Sequence, residues 1–284
     1  MRALIRRNMR VFFRDRASVF FSLLAVLIII GLYVLFLGDV MASNLPDMPG
    51  ARALSDNWIM SGLLAVTSAT TVMGAFGTMV DDRARKIEKD FLASPVGRAK
   101  IAGGYVVSSF IVGVIMTFLT FALAIVYITV RGGDMIAPTA AINVILLILL
   151  SAICNTAMVS FLASFIKSQN AFGTVSSILG TLIGFLTGIY MPIGVLPEAV
   201  QVFIKFFPVS HAALLLRGVM TQASMQAVFA GAPAGAAQGF KEMMGISYRF
   251  GDTILPAYAS LLILAGTTAL FAWLSVLRFS KKKK

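Results

Sequence analysis

Histidine occurs once in the chain, at 211, and cysteine once, at 154. A single imidazole cannot build a multi-histidine zinc site or an H-E-x-x-H helix, and a single thiol cannot close an intrachain disulfide. No Lys follows a Gly, so the G-x-x-x-x-G-K-[ST] loop that cradles nucleotide phosphates is missing, and this chain cannot hydrolyse ATP by that route. No G-x-S-x-G elbow occurs, and an intramembrane enzyme would lack a nucleophile–base pair. His211 therefore reads as a structural or gating residue. Charge chemistry is concentrated in residues 81–100, DDRARKIEKDFLASPVGRAK, half of which are charged. A charge at mid-bilayer costs about 3 kcal/mol or more, so this segment belongs in water. Ile87, Phe91 and Leu92 recur at i, i+4 and i+5, which predicts a short amphipathic helix that Ser94-Pro95 brings to an end. Such a segment either sets topology as a solvated loop or docks on a soluble partner.

The rest of the chain says where that helix would sit. Of 284 residues, 58% are hydrophobic and 13% charged, more apolar surface than a soluble core of this size can hide. Uncharged runs of about 18 residues or more mark membrane spans. They predict six, at residues 17–37, 58–80, 106–130, within 135–166, 171–190 and 254–277. Trp58 is expected as an interfacial anchor, and Gly103-Gly104 as a hinge ahead of the third span. The spans hold no Asp, Glu, Lys or Arg, which weighs against an ion-coupled carrier. Residues 1–16 carry Arg2, Arg6, Arg10 and Arg14 four apart, with Leu4, Ile5, Met9 and Phe12 on another face, the pattern of a basic helix in the membrane interface. The apolar run that follows is too long for a cleavable leader. Residues 191–208 are apolar but broken by Pro192, Gly194, Pro197 and Pro208, which fits a re-entrant pair of short helices. Residues 209–252 follow as an outside segment. Gly180, Gly184 and Gly188 line one face of span five, where a helix of the same chain or of a second copy can approach closely. Of the 24 Lys and Arg, 18 fall in residues 1–16, 81–100, 167 and 278–284. The positive-inside rule then puts both termini and residues 81–100 in the cytoplasm. The net charge of +12 thus belongs to the membrane surface, not to nucleic-acid binding.

Three stretches go further. One is the basic N-terminus from Asn8-Met9-Arg10 into Phe20. Another is Leu92-Ala93-Ser94-Pro95-Val96 with Arg98, ahead of Gly103. The third runs from Gly188-Ile189-Tyr190-Met191-Pro192-Ile193 through Leu196-Pro197 to Phe207-Pro208-Val209-Ser210-His211 and Leu216-Arg217-Gly218. Together they resemble the ABC-2, or type V exporter, class of ABC transporter permeases, over essentially the whole chain. The resemblance implies one permease domain, residues 1–284, in an all-α integral membrane protein. Six transmembrane helices would be joined by an N-terminal interfacial helix, a cytoplasmic coupling helix after span two, and a re-entrant and extracellular segment over residues 191–252. It implies a second permease subunit, homo- or heteromeric, and two copies of an ABC ATP-binding subunit that carry ATP and Mg; no cofactor is expected on this chain. Residues 86–93 would be the coupling helix, with Arg85, Lys86, Glu88, Lys89, Phe91 and Leu92 contacting the ATPase. Substrate would move along spans one, two and five, past Thr67, Thr70, Thr71, Ser177, Thr181 and Tyr190, beside the segment marked by Pro192, Pro197, Pro208 and His211. Many relatives open the coupling loop with Glu-Arg-x-x-Gly-Thr. Here it reads Asp81-Asp82-Arg83-Ala84-Arg85-Lys86-Ile87-Glu88, which keeps the charge character and loses the Gly-Thr.

The function these readings imply is the membrane subunit of an ATP-driven exporter in a bacterial or archaeal cytoplasmic membrane, moving an amphipathic or lipid-like substrate outward. The competing expectation is a sensor or immunity protein that binds an antibiotic or peptide at residues 209–252 without net transport. Drugs, antibiotics, lipid-linked glycans, peptides and haem-like compounds all remain open as substrates.

Overall fold

The computed structural model describes residues 1–33, 35, 50–133, 135–233 and 235–280. Most of the predicted loop after the first span and the terminal lysine run fall outside the described residues. The chain is mainly helical: α1 (Arg2–Arg14), α2 (Arg16–Leu32), α3 (Ala51–Ala84), α4 (Ile87–Ala93), α5 (Arg98–Val130), α6 (Pro138–Ala163) and α7 (Gln169–Leu186) lead to a 3-10 turn (Ile193–Val195). Then come α8 (Glu198–Phe206), α9 (Pro208–Met220), α10 (Gln222–Val228), α11 (Ala236–Met243) and α12 (Ala257–Ser280). Against the all-α expectation, a small antiparallel hairpin, β1 (Arg249–Phe250) and β2 (Thr253–Ile254), pairs Arg249 with Ile254.

Among the described residues four helices are long and apolar enough to cross a membrane: α3, α5, α6 and α12. The described part of α2 is 17 residues long, and α7 opens on Gln169 and Asn170; neither is among the four. The helices α8 and α9 meet at 87°. Phe207 separates them, and Pro208 both disfavours helical geometry at Phe207 and starts α9 at its first position, where no N–H is needed.

The central element is α3. It starts after Gly50, whose φ of +92° is the left-handed conformation that Gly adopts freely. It then runs 34 residues without a Pro. That is about 51 Å, against about 30 Å of hydrocarbon, so its charged ends project past the apolar core. Of its apolar window 83% is buried, against 17% for the peripheral α12. Helices α5, α6, α7 and α9 all pack on it. At Gly113 of α5 a Cβ would stand 2.4 Å from Val72 Cγ2 of α3, so glycine sets how closely the two helices cross. Midway along α3, Ser68 Oγ accepts from Asn155 Nδ2 of α6 at 3.0 Å, both side chains buried.

Three expectations change. The Gly103-Gly104 pair is no hinge, because α5 runs through it unbroken. A Cβ on Gly104 would lie 2.6 Å from Leu4 Cδ2, and one on Gly103 3.3 Å from Met1 Cε, so the pair is the seat on which α1 rests. Trp58 is not a membrane-surface anchor. It is 1% exposed, and its indole N–H donates to the Met244 carbonyl at 2.7 Å. Residues 209–252 are not wholly an outside segment, since α9 lies in the main core with Leu216 and Leu214 in the same buried cluster as Leu63 and Ile148.

Candidate functional site

Charged residues from α1, α3, α4, α5, the turn after α6 and the end of α12 gather at one end of the bundle. α1 docks there on the α3–α5 crossing by Leu4, Asn8 and Phe12. Phe12 joins Ala75, Val112 and Met116 in a buried cluster, and Asn8 Nδ2 donates to Ser108 Oγ at 3.3 Å. Beside them Asp82, 2% exposed, receives both Nη1 and Nη2 of Arg7, the second at 2.8 Å, and the Tyr105 hydroxyl at 2.6 Å. The hydrogen bond to Asp82 raises the Arg7 guanidinium above its already high ordinary pKa. Arg7 also lies over the Phe91 ring, 5.6 Å from its centroid. One carboxylate thus binds the N-terminal helix, α3 and α5 together and holds α4 through the arginine.

The break between α3 and α4 falls at Lys86, with φ of +65°, the sole left-handed residue other than Gly among those described. Setting Asp82-Arg83 on the Glu-Arg of the family pattern puts Lys86 where that pattern has Gly. The geometry explains the pattern: a side chain here costs roughly 1–2 kcal/mol that Gly does not. Beyond it, α4 is held by Glu88, which accepts from Arg83 Nε at 3.2 Å. The same guanidinium donates to the carbonyls of Ala163 at 3.1 Å and Ile166 at 2.8 Å, capping the end of α6. Arg85 turns back to Asp81 at 2.9 Å. Of the predicted coupling residues, Phe91 is half-buried and packs against the chain's own buried cluster, which includes Phe76, Ile101 and Tyr105, whereas Lys89 and Leu92 are exposed. Leu92, at 38% exposure, and Val96, at 39%, present apolar surface outward.

The predicted path residues separate into two groups. Thr67 and Thr71 are buried, and Thr67, Thr70 and Thr71 donate to the carbonyls of Leu63, Val66 and Thr67. Their hydroxyls are satisfied on α3 itself. Ser177 and Thr181 lie exposed on α7 with Ile178 and Leu182, and Tyr190 is exposed at its end. The glycine stripe divides as well. A Cβ on Gly184 would fall 2.2 Å from the Tyr190 ring, Gly188 takes a φ of +71° that lets the chain turn back, and Gly180 faces open space. Two of the three glycines thus serve the local fold-back after α7.

At the opposite end, Pro192 caps the 3-10 turn, Pro197 caps α8, and Pro208 starts α9. His211 is fully buried. Its Nε2 is 2.9 Å from the Lys205 carbonyl, which can only accept, and its Nδ1 is 3.0 Å from Ser260 Oγ. The imidazole ties the α8–α9 corner to α12. Sequence reasoning gave no role to Arg217, also at 0% exposure, whose Nε, Nη1 and Nη2 have no hydrogen-bond partner among the described residues. Its guanidinium lies 4.4 Å from the Trp58 ring centroid. Cβ atoms on Gly62 and Gly245 would come within 3.0 and 3.2 Å of its nitrogens. A lone charge within the apolar run of α9 was the available signal.

Outside the spans, Glu242 of α11 accepts from both Nε and Nη2 of Arg249, at 2.9 and 2.7 Å, and from Gln238 at 2.7 Å. These hydrogen bonds, the one from Arg249 foremost, hold its carboxyl below the ordinary value. A depressed carboxylate adds stability above its unfolded value of about 4.3, and that stability is lost as pH falls through the folded value. Limited proteolysis within residues 236–250 should therefore accelerate on acidification below about pH 4. Glu242→Gln should be cut readily at neutral pH and lose that acid response; an unchanged pH profile in the variant would count against this account.

The family description "ABC-2 type transporter" matches residues 1–221. The chain belongs to that family and is a multi-pass membrane protein of the permease class. It is also similar to the linearmycin resistance permease protein LnrN of Bacillus subtilis (strain 168), at 28% identity over 159 residues, 56% of this chain and 40% of that protein. The match thus spans less than half the relative's length.

Proposed function

We propose that the chain is the membrane subunit of an ATP-driven exporter whose ATP and Mg are held by two copies of a separate ATP-binding subunit, with a second permease subunit completing the path. In this reading six spans cross a bacterial or archaeal cytoplasmic membrane, both termini are cytoplasmic, and the α8–α9 corner is re-entrant. The observation that carries the reading is α4. It stands exposed at the basic end of the bundle, yet Arg83–Glu88 and Arg7–Phe91 anchor it to α3, α6 and α1. A displacement of α4 is therefore passed to three helices. Family membership supports a permease rather than a receptor that binds without transport, and the relative whose name gives linearmycin resistance supports a cargo to which export confers resistance. The exposed Ser177–Thr181 face of α7 is the stretch of the predicted path best suited to meet such a cargo.

Because Phe91 packs on its own chain, a change there disturbs folding as well as docking. Leu92→Asp is the cleaner test. Co-purification with the ATP-binding subunit encoded alongside should fall about tenfold or more, the result of losing about 1.4 kcal/mol of contact, while the thermal midpoint of the isolated chain stays unchanged. Full co-purification and full ATP-driven export by Leu92→Asp would overturn the reading.

A further inference from the structure

The basic end of the bundle contains a basin of about 630 Å³ between α4, α5, the turn after α6 and the end of α12. Six cations line it: Arg83, Lys86, Lys89, Arg98, Lys167 and Arg278. The one carboxylate in its wall, Glu88, is already paired with Arg83. Lys86, Lys89, Arg98 and Lys167 are exposed and have no ion pair among the described residues. Six positive groups against one paired carboxylate repel one another unless an anion sits among them.

A second hollow of about 450 Å³ opens from the same place. It is an apolar groove between α5, α6 and α12, floored by Ala157 and by the Ser160–Ser275 hydroxyl pair, which satisfies itself at 2.7 Å. Arg98, Ala102 and Phe279 line both hollows, so basin and groove are continuous. Along α12 the groove extends from Phe279 to Thr268, about 16 Å at helical rise. That is the depth of one leaflet, half of a hydrocarbon core of about 30 Å.

We propose that this two-part hollow binds an anionic glycerophospholipid, with the headgroup phosphate among Lys86, Lys89, Arg98 and Arg278 and one acyl chain along the groove. The charge complementarity selects an anion, and the leaflet-deep apolar groove selects an acyl chain over a soluble phosphate. The lipid would sit directly against α4, so it would brace the segment assigned above to ATPase docking. The lipid site itself does not depend on that assignment or on which way round the chain is inserted.

The test is binding alone, on the whole chain in nanodiscs and by native mass spectrometry from mild detergent. Phosphatidylglycerol should be retained about tenfold or more over phosphatidylcholine. Arg98→Gln with Arg278→Gln should abolish that preference, whereas Arg98→Lys with Arg278→Lys should keep it. Ala272→Trp, which fills the groove from its exposed side, should weaken both lipids without changing the preference. Equal retention of the two lipids by the unaltered chain would overturn the proposal, as would an unchanged preference in the glutamine variant. Binding of glycerol 3-phosphate as tight as that of phosphatidylglycerol would show a phosphate site without lipid selectivity and would overturn it too. Full co-purification and export by Leu92→Asp with the lipid preference intact would remove the exporter reading and leave this one standing.

Discussion

Arg217→Met is expected to make the protein more stable, not less. A guanidinium withdrawn from water costs several kcal/mol even after relaxation. The Trp58 face returns about 2 kcal/mol of that, and among the described residues no carboxylate or carbonyl accepts from Arg217 to return the rest. Methionine has comparable reach, bends to fit, and makes favourable contacts with an aromatic ring. The exchange should stabilise by about 1–4 kcal/mol, which is roughly five- to thousandfold in any opening equilibrium that wets this cage. Amide exchange over residues 236–248, which wall the cage through Met244 and Gly245, should slow accordingly. Arg217→Lys should behave oppositely, because an ammonium is more strongly hydrated and stacks less well than a planar guanidinium. A methionine variant that melts lower than the unaltered protein, or exchanges faster at 236–248, would mean that Arg217 has a partner in the closed state.

The second large effect is an asymmetry at the other end. Arg7→Ala should cost about 3–5 kcal/mol, because it leaves a buried carboxylate with only the Tyr105 hydroxyl for company. Asp82→Ala should cost clearly less. The Arg7 side chain is 34% exposed while that of Asp82 is 3% exposed, so a widowed guanidinium can turn to water and a widowed carboxylate cannot. Unfolding in mixed micelles would measure both, and trypsin would report release of α1 through its arginines. Equal costs for the two single variants would show that the pair is more solvated than the structure has it.

The sequence carried the helices whose evidence is local. Uncharged runs located α6 and α12 within about three residues and found α3 and α5 with starts placed seven and eight residues late (58 against 51, 106 against 98), the charge density of residues 81–100 located α4, and the Pro spacing located the α8–α9 corner. It could not carry partnerships across long separations. Arg7 meets Asp82 across 75 positions, and Trp58 meets Met244 across 186; no periodicity encodes either. Glycine was ambiguous for the same reason. Gly103-Gly104 reads as flexibility until Leu4 and Met1 are seen resting on it. Phe91 was rightly assigned to a helix, but an isolated amphipathic pattern does not say which apolar residue turns to the parent chain and which to a visitor. Arg217 fell within residues 209–252, expected outside, because the Pro-broken run before it hid the apolar helix that buries it.

The unbroken length of α3 has a mechanical consequence. Between Trp58 and Asp82 it contains no Pro and no interruption, and the Ser68–Asn155 bond pins it in between. A stiff beam pinned there is a seesaw whose arms are about 15 Å toward Trp58 and about 21 Å toward Asp82. A push that swings the Asp82 end by about 2 Å would swing the Trp58 end by about 1.4 Å in the opposite direction, in proportion to those arms. The Trp58 and Asp82 ends of the bundle, both carried on that beam, swing in opposition and not together.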